Sequence, residues 1–197
     1  MAEGCVSMAR MDAVSSAPMG HRLTVYCGSQ RGEHPSYAQA AEQLGRSMGR
    51  RGVGLVYGAA DFGLMGVVAD AVLAESGEVI GVIPDHLIDA DGAHPGLSRL
   101  ERVPSMHRRK QRMMALADGL IALPGGFGTF EELFEALTWA QLGLHQKPVA
   151  LLNVHGYFDG LIQFLDHAVQ AGFLSSSNRA LLHVASDPEP LLNAVLG

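Results

Sequence analysis

The stretch Pro124-Gly125-Gly126-Phe127-Gly128-Thr129-Phe130-Glu131-Glu132 gathers the residue types that chemistry on a phosphorylated sugar would need. Glycines let a main chain come close to a ligand. The first amides of a helix have no internal partners and lie at the positive end of its dipole, so a glycine turn opening a helix suits a phosphate or carboxylate. The acid pair Glu131 and Glu132, one turn further, suits hydroxyls or developing positive charge beside that anion. Thr129 with Glu132 also fits a capping box, which is a purely structural role; a cap alone needs none of the three glycines. A second group is His107-Arg108-Arg109-Lys110-Gln111-Arg112. Such a charge run is commonly a solvated face. On a helix Arg108 and Arg112 share one side and Arg109 is turned about a quarter of the way round, so one or two of these forks could aim at the anion.

The elements that must hold these residues follow from periodicity. Gly119 to Leu123 is a short apolar strand running into the glycine turn, and Leu133, Leu137, Ala140 and Leu144 recur at helical spacing after it. Upstream, strands are predicted over 23–27, 53–57 and 79–83. Helices are predicted from Pro35 to about Arg51, from Leu64 to about Glu75, and from Met106 to Ala117 behind the cap Ser105. Downstream come a strand over 147–152, a helix over 158–171, an edge strand at 182–184 and a closing helix over 189–196. Residues 85–104 read as an irregular loop. Continuous apolar strands alternating with amphipathic helices predict an α/β doubly wound parallel sheet covered on both faces, with ligands beyond the carboxyl ends of the strands. Four loops leave those ends: Gly28-Ser29, Gly58 to Gly63, the one after Pro84, and the glycine turn.

Several function classes are disfavoured. The net charge of −6 argues against nucleic acid as main partner, and no apolar run is long enough to span a bilayer. No G-x-G-x-x-G follows the first strand, and Leu64 stands where a phosphate loop after Gly58 would carry lysine. The nine histidines are scattered without metal-ligand spacing. With two cysteines, Cys5 and Cys27, a reducing cytoplasmic setting is expected. Residues 1–20 read as a flexible leader and residues 21–197 as one domain.

These motifs together resemble the LOG (Lonely Guy) family, the cytokinin riboside 5′-monophosphate phosphoribohydrolases long labelled lysine decarboxylases. The resemblance runs from about Leu23 to the C-terminus. It is carried by Tyr26-Cys27-Gly28-Ser29, Gly63-Leu64-Met65-Gly66, Val79 to Pro84, Met106-His107-Arg108-Arg109-Lys110, the glycine turn as P-G-G-x-G-T-x-x-E, and Trp139 to Gly143. It implies a Rossmann-like nucleotide-binding catalytic domain that hydrolyses the N-glycosidic bond of an adenine-type nucleoside 5′-monophosphate. It implies no cofactor and no metal, and a homodimer with the site near the interface. Arg109 and Glu132 fall on the family's catalytic pair. Substrate binding falls on Gly28, Ser29, Lys110, Gly125, Gly126, Phe127, Gly128, Thr129 and Glu131, and on Asp91, where the family usually has glutamate. The family's glycine run after the second strand is here Gly58-Ala59-Ala60. The decarboxylase label would want a Schiff-base lysine, and only Lys110 and Lys147 exist. The alternative is a non-catalytic nucleotide or cofactor carrier on the same scaffold.

Overall fold

The structure, a computed structural model, describes residues 20–197, the side chains of residues 89–91 excepted. The leader expected over residues 1–20 thus lies almost wholly outside the described residues. Seven strands form one parallel sheet: β1 (Arg22–Tyr26), β2 (Gly54–Tyr57), β3 (Val79–Pro84), β4 (Arg99–Val103), β5 (Gly119–Ala122), β6 (Val149–Leu152) and β7 (Leu182–Ala185). Their spatial order is β4-β3-β2-β1-β5-β6-β7. The chain builds outward from β1 to β4, then crosses back to lay β5 against the other side of β1, with Leu23 facing Leu55 on one flank and Gly119 on the other. The connections after β1 and β5 therefore run on to helices on opposite faces of the sheet, Pro35–Arg50 and Phe127–Gln141, and a crevice opens at this switch point.

Helices cover both faces, which is why the central strands are apolar without alternation. The helices are α1 (Pro35–Arg50), α2 (Gly63–Ala74), α3 (Asp85–Asp91), α4 (Met106–Leu116), α5 (Phe127–Gln141), α6 (Asp159–Gln170), the single turn α7 (Ser176–Arg179) and α8 (Pro188–Leu196). Leu23, Val25 and Cys27 pack with Leu44 and Met48 of α1, Val68 and Val72 of α2, and Leu191 and Val195 of α8. Tyr26 and Leu120 pack on the opposite face with Met113 and Met114 of α4, Leu133 and Ala136 of α5, and Leu165 of α6. Burying each large aliphatic side chain in these two layers is worth about 2 kcal/mol.

The region 85–104 is not the irregular loop expected. It holds α3 and the edge strand β4, whose residues Arg99 to Val103 pair with Ile80 to Pro84. The strand escapes recognition because it is polar and largely exposed: Arg102 pairs with Asp85 at 2.9 Å, and Glu101 accepts from Arg112 at 3.0 Å. Between α3 and β4, buried His94 pins the chain. Its Nδ1 accepts from the Gly96 amide at 3.0 Å and its Nε2 lies 2.9 Å from Asp70.

The capping box at Thr129 is not formed either. Helix α5 starts three residues earlier, with Gly126 rather than Thr129 at its N-cap and no side-chain cap. Thr129 is buried inside the first turn, so Glu132 is free of the capping role.

Candidate active site

Where β1, β2 and β5 end, a cavity of about 250 Å³ opens. Its floor is the end of β1, from Val25 to Cys27. One wall is Gly28 and Ser29. The opposite wall is the first turn of α5, Gly126 to Thr129, with Glu132 one turn on. The rear is Gly58, and Met65 of α2 and Met106, Arg109 and Met113 of α4 close the remaining side.

The glycine turn is held open by contacts made possible by missing side chains. A Cβ on Gly125 would lie 2.1 Å from Thr129 Oγ1 and 2.8 Å from the Gly28 amide, so only glycine lets the β1 and β5 loops touch here. The Gly28 amide donates to the Pro124 carbonyl at 3.0 Å, and the Gly28 carbonyl accepts from the Leu64 amide at 3.0 Å. Beyond that clasp, the chain turns directly into α5. No protein acceptor meets the amides of Phe127, Gly128 and Thr129 among the described residues, the usual condition of a helix's first turn. Phe127, 93% exposed, stands at the lip of the cavity.

Arg109 of α4 and Glu132 of α5 both line this space, close enough for the guanidinium to act on the carboxyl's charge. Arg109 makes no ion pair among the described residues; its one hydrogen-bonding contact there is Nη1 to the Met106 sulfur at 3.8 Å, and its buried Nε has no partner. Its fork lies against Gly58, where a Cβ would come within 1.8 Å of Nη2. The guanidinium therefore keeps its donors for a ligand. The Glu132 carboxyl lines the cavity but is hemmed in by protein. Burial pushes its pKa up to about 7, Arg109 pulling the other way and the Glu131 charge adding to the rise. Burial also pushes up the Tyr26 hydroxyl and the Cys27 thiol, so both stay protonated on the cavity floor.

The sequence-predicted residues divide. Gly28, Ser29, Arg109, Gly126, Phe127, Gly128, Thr129 and Glu132 come together around the cavity. Lys110 and Glu131 do not. Lys110, only 8% exposed, turns to the far side of α4 and pairs with Glu131 and, at 2.9 Å, with Glu135. Consecutive residues on a helix point about 100° apart, so when Arg109 enters the cavity Lys110 cannot. Gly125 backs the turn and presents its carbonyl to a neighbouring hollow. Asp91 closes α3, and its side chain is outside the described set. Arg108 and Arg112 are occupied elsewhere, by Gln111 at 2.8 Å and by Glu101.

Tyr26, Met65, Met106 and Met113 also line the cavity; the first three stand in motifs of the resemblance, but no site role was expected of any of them. Helical and strand periodicity marks them only as apolar, and the same signal marks core residues. Neither lysine suits Schiff-base chemistry: Lys147 donates to the Met114 carbonyl, and both lysines are outside the cavity lining. Among the described residues no cluster of histidine, cysteine and acids could hold a metal.

A family model described as "Possible lysine decarboxylase" matches residues 65–195. A cytokinin riboside 5′-monophosphate phosphoribohydrolase of Arabidopsis thaliana is 46% identical over 171 residues, covering 87% of this chain and 79% of that protein. A protein of the same name from Rhodococcoides fascians is 43% identical over 184 residues, covering 93% of each. Among solved structures, the molybdenum cofactor binding protein from the phototrophic bacterium Rippkaea orientalis superposes with a TM-score of 0.68 at 22% identity, covering 90% of this chain and 98% of that one. At that identity the likeness is one of fold.

Proposed function

The chain belongs to the LOG family of cytokinin riboside 5′-monophosphate phosphoribohydrolases, and on that premise we propose that the Arg109–Glu132 cavity hydrolyses the N-glycosidic bond of adenine-type nucleoside 5′-monophosphates. The products are the free base and ribose 5-phosphate. The observation that carries the reading is that one cavity is lined by a desolvated carboxyl, a guanidinium without an ion pair and a row of free helix amides.

In this reading the 5′-phosphate lies on the amides of Gly126 to Thr129, and Arg109 anchors the phosphate–ribose part. As the bond from C1′ to the base nitrogen breaks, its electron pair leaves with the base and the ribose gains oxocarbenium character. The fixed carboxylate of Glu132 stabilises that charge in a site where water screens little. Glu132 then takes a proton from the attacking water, whose oxygen bonds to C1′, and gives it up through solvent to the departing base, so that the carboxylate is restored. A raised carboxyl pKa suits this exchange, because the group can both accept and return a proton near neutrality. A carrier on the same scaffold would have no use for a desolvated acid facing the sugar.

The remote phosphate holds the ribose in reactive geometry, so substrates lacking it should lose turnover as well as affinity. Release of adenine from AMP, and of the free base from an N6-prenylated AMP, is the direct test. We expect the corresponding nucleosides to react at least about 10²-fold more slowly at equal concentration. No release from either monophosphate overturns the hydrolase reading.

Gly58→Ala tests the placement of Arg109. The added methyl occupies the space of Nη2 and must swing the fork aside, and an ångström-scale misplacement is expected to lower kcat/KM about 10- to 100-fold. Because the displaced group is the end of a flexible side chain, the melting temperature should hardly move. Equal rates for variant and parent would mean that Arg109 does not act from this position.

The proposal extends to a cytoplasmic homodimer acting on a small molecule rather than on nucleic acid or a membrane. No described helix is long and apolar enough to cross a membrane. Leu142 and Leu144 after α5 and Phe164 on α6 are apolar and well exposed, which supports a partner surface on that side.

A further inference from the structure

After β6 the chain makes an unusual turn. His155 adopts left-handed backbone angles (φ 52°, ψ 32°) and Gly156 follows at φ 68°. Any residue with a Cβ avoids that region, and such a conformation persists only where surrounding contacts over-determine it. Here they do. The His155 ring stacks on His34 at 4.1 Å with the planes 12° apart. Asn153 ties the turn from inside: Oδ1 accepts from the Phe158 amide at 2.8 Å, and Nδ2 donates to Asp159 at 2.7 Å.

The turn delivers one side chain to the glycine loop. The Tyr157 ring is fixed edge-on by Tyr37 at 5.7 Å and by Phe158 at 4.8 Å. Its hydroxyl donates to the Gly125 carbonyl at 2.6 Å. That carbonyl and the Gly126 amide belong to one peptide plane, and the peptide is trans. In a trans peptide the C=O and N–H point in opposite directions. Gly125 borders the hollow on the Tyr157 side, whereas Gly126 also borders the Arg109–Glu132 cavity. Drawing the carbonyl toward Tyr157 therefore turns the N–H toward that cavity. A peptide whose oxygen accepts a hydrogen bond is also a more polarised donor at its nitrogen.

We infer that Tyr157 is a positioning residue: through the Gly125–Gly126 peptide it aims the first amide of the anion-binding row at the substrate's phosphate. The inference rests on the reading that a 5′-phosphate binds on those amides.

Tyr157→Phe is the test, since it removes only the hydroxyl and keeps the ring packing. Losing one well-aimed amide should raise KM for N6-prenylated AMP about five- to tenfold, with kcat changed less than KM. The inhibition constant of ribose 5-phosphate should rise by the same factor. Inhibition by adenosine, which has no phosphate, and the melting temperature should stay as in the parent. Unchanged KM and unchanged ribose 5-phosphate inhibition overturn the inference. So does an equal loss of affinity for adenosine and ribose 5-phosphate, which would mark a general loosening of the site. Should the parent protein fail to release base, the hydrolase reading falls on its own. Calorimetric binding of ribose 5-phosphate to parent and variant then still decides the role of Tyr157.

Discussion

Replacing Glu132 with glutamine is expected to cut kcat about 10³-fold while leaving nucleotide affinity close to that of the parent. The size follows from what is removed: a positioned proton acceptor, worth about 10²- to 10⁴-fold, that is also the charge facing the oxocarbenium ion. Affinity should survive because, in the proposed mode, phosphate binding is carried by main-chain amides and Arg109. A variant with near-parent turnover would reduce Glu132 to a structural residue.

The same substitution has a second, opposite signature in stability. The Glu132 carboxyl titrates near 7 in the folded chain, above the ordinary carboxylate range, because burial disfavours its charge. The folded state then holds a proton that the unfolded state releases at lower pH. Stability from this group is thus fully present below the ordinary pKa and is lost as pH rises through about 7. At pH 8 the native protein carries a buried carboxylate at a cost of up to about 3 kcal/mol, and Glu132→Gln relieves it. The variant should melt several degrees higher than the parent at pH 8 and at nearly the same temperature at pH 4.5. The proposed mechanism uses the ionised form, so kcat/KM of the parent should fall as pH drops below about 7. A carboxylate that costs stability where it is active indicates a group kept for chemistry.

The second large effect is expected at Arg109. Arg109→Ala removes the fork that anchors the substrate and the positive charge that holds the Glu132 pKa down. We expect kcat/KM to fall about 10²- to 10³-fold, as for loss of a charged hydrogen-bonding partner in a water-poor site. The acidic limb of the pH profile should move upward, because Glu132 then meets burial and the Glu131 charge with less opposition. Arg109→Lys should recover part of the limb's position, since charge returns, but little of the rate, since a single ammonium cannot reproduce a planar fork. A pH profile unchanged in Arg109→Ala would mean that the two groups do not sense each other. The double variant with Glu132→Gln should lose less than the product of the single losses, because the two act on one transition state.

What could be read from the residues alone was the local part. Glycines before a helical apolar period located the turn and the start of α5. The acid pair Glu131 and Glu132 was legible beside that turn, the family resemblance narrowed it to Glu132, and the arginine run offered three cations. Which arginine enters the cavity depends on how α4 rotates against the sheet, and that is set by Met113 and Met114 entering the core. The same rotation sends Lys110 out of the cavity lining and toward Glu131 and Glu135. Strand β4 was missed because its alternation of charge follows an exposed edge rather than a core face. Tyr157 and Gly58 act through contacts 32 and 51 positions away in the chain, a relation that no local pattern carries.

The clasp at Lys110 has a mechanical consequence. Arg109 and Glu132 ride on different helices, and the ammonium next to Arg109 is gripped by acids on the helix that carries Glu132. Prising α4 from α5 would break both of these pairs, so the ammonium ties the two helices together at this point. The gap between guanidinium and carboxylate is thus fixed before any nucleotide arrives. Whatever yields to admit a ligand must be sought in the connecting loops, not in a swing of these helices.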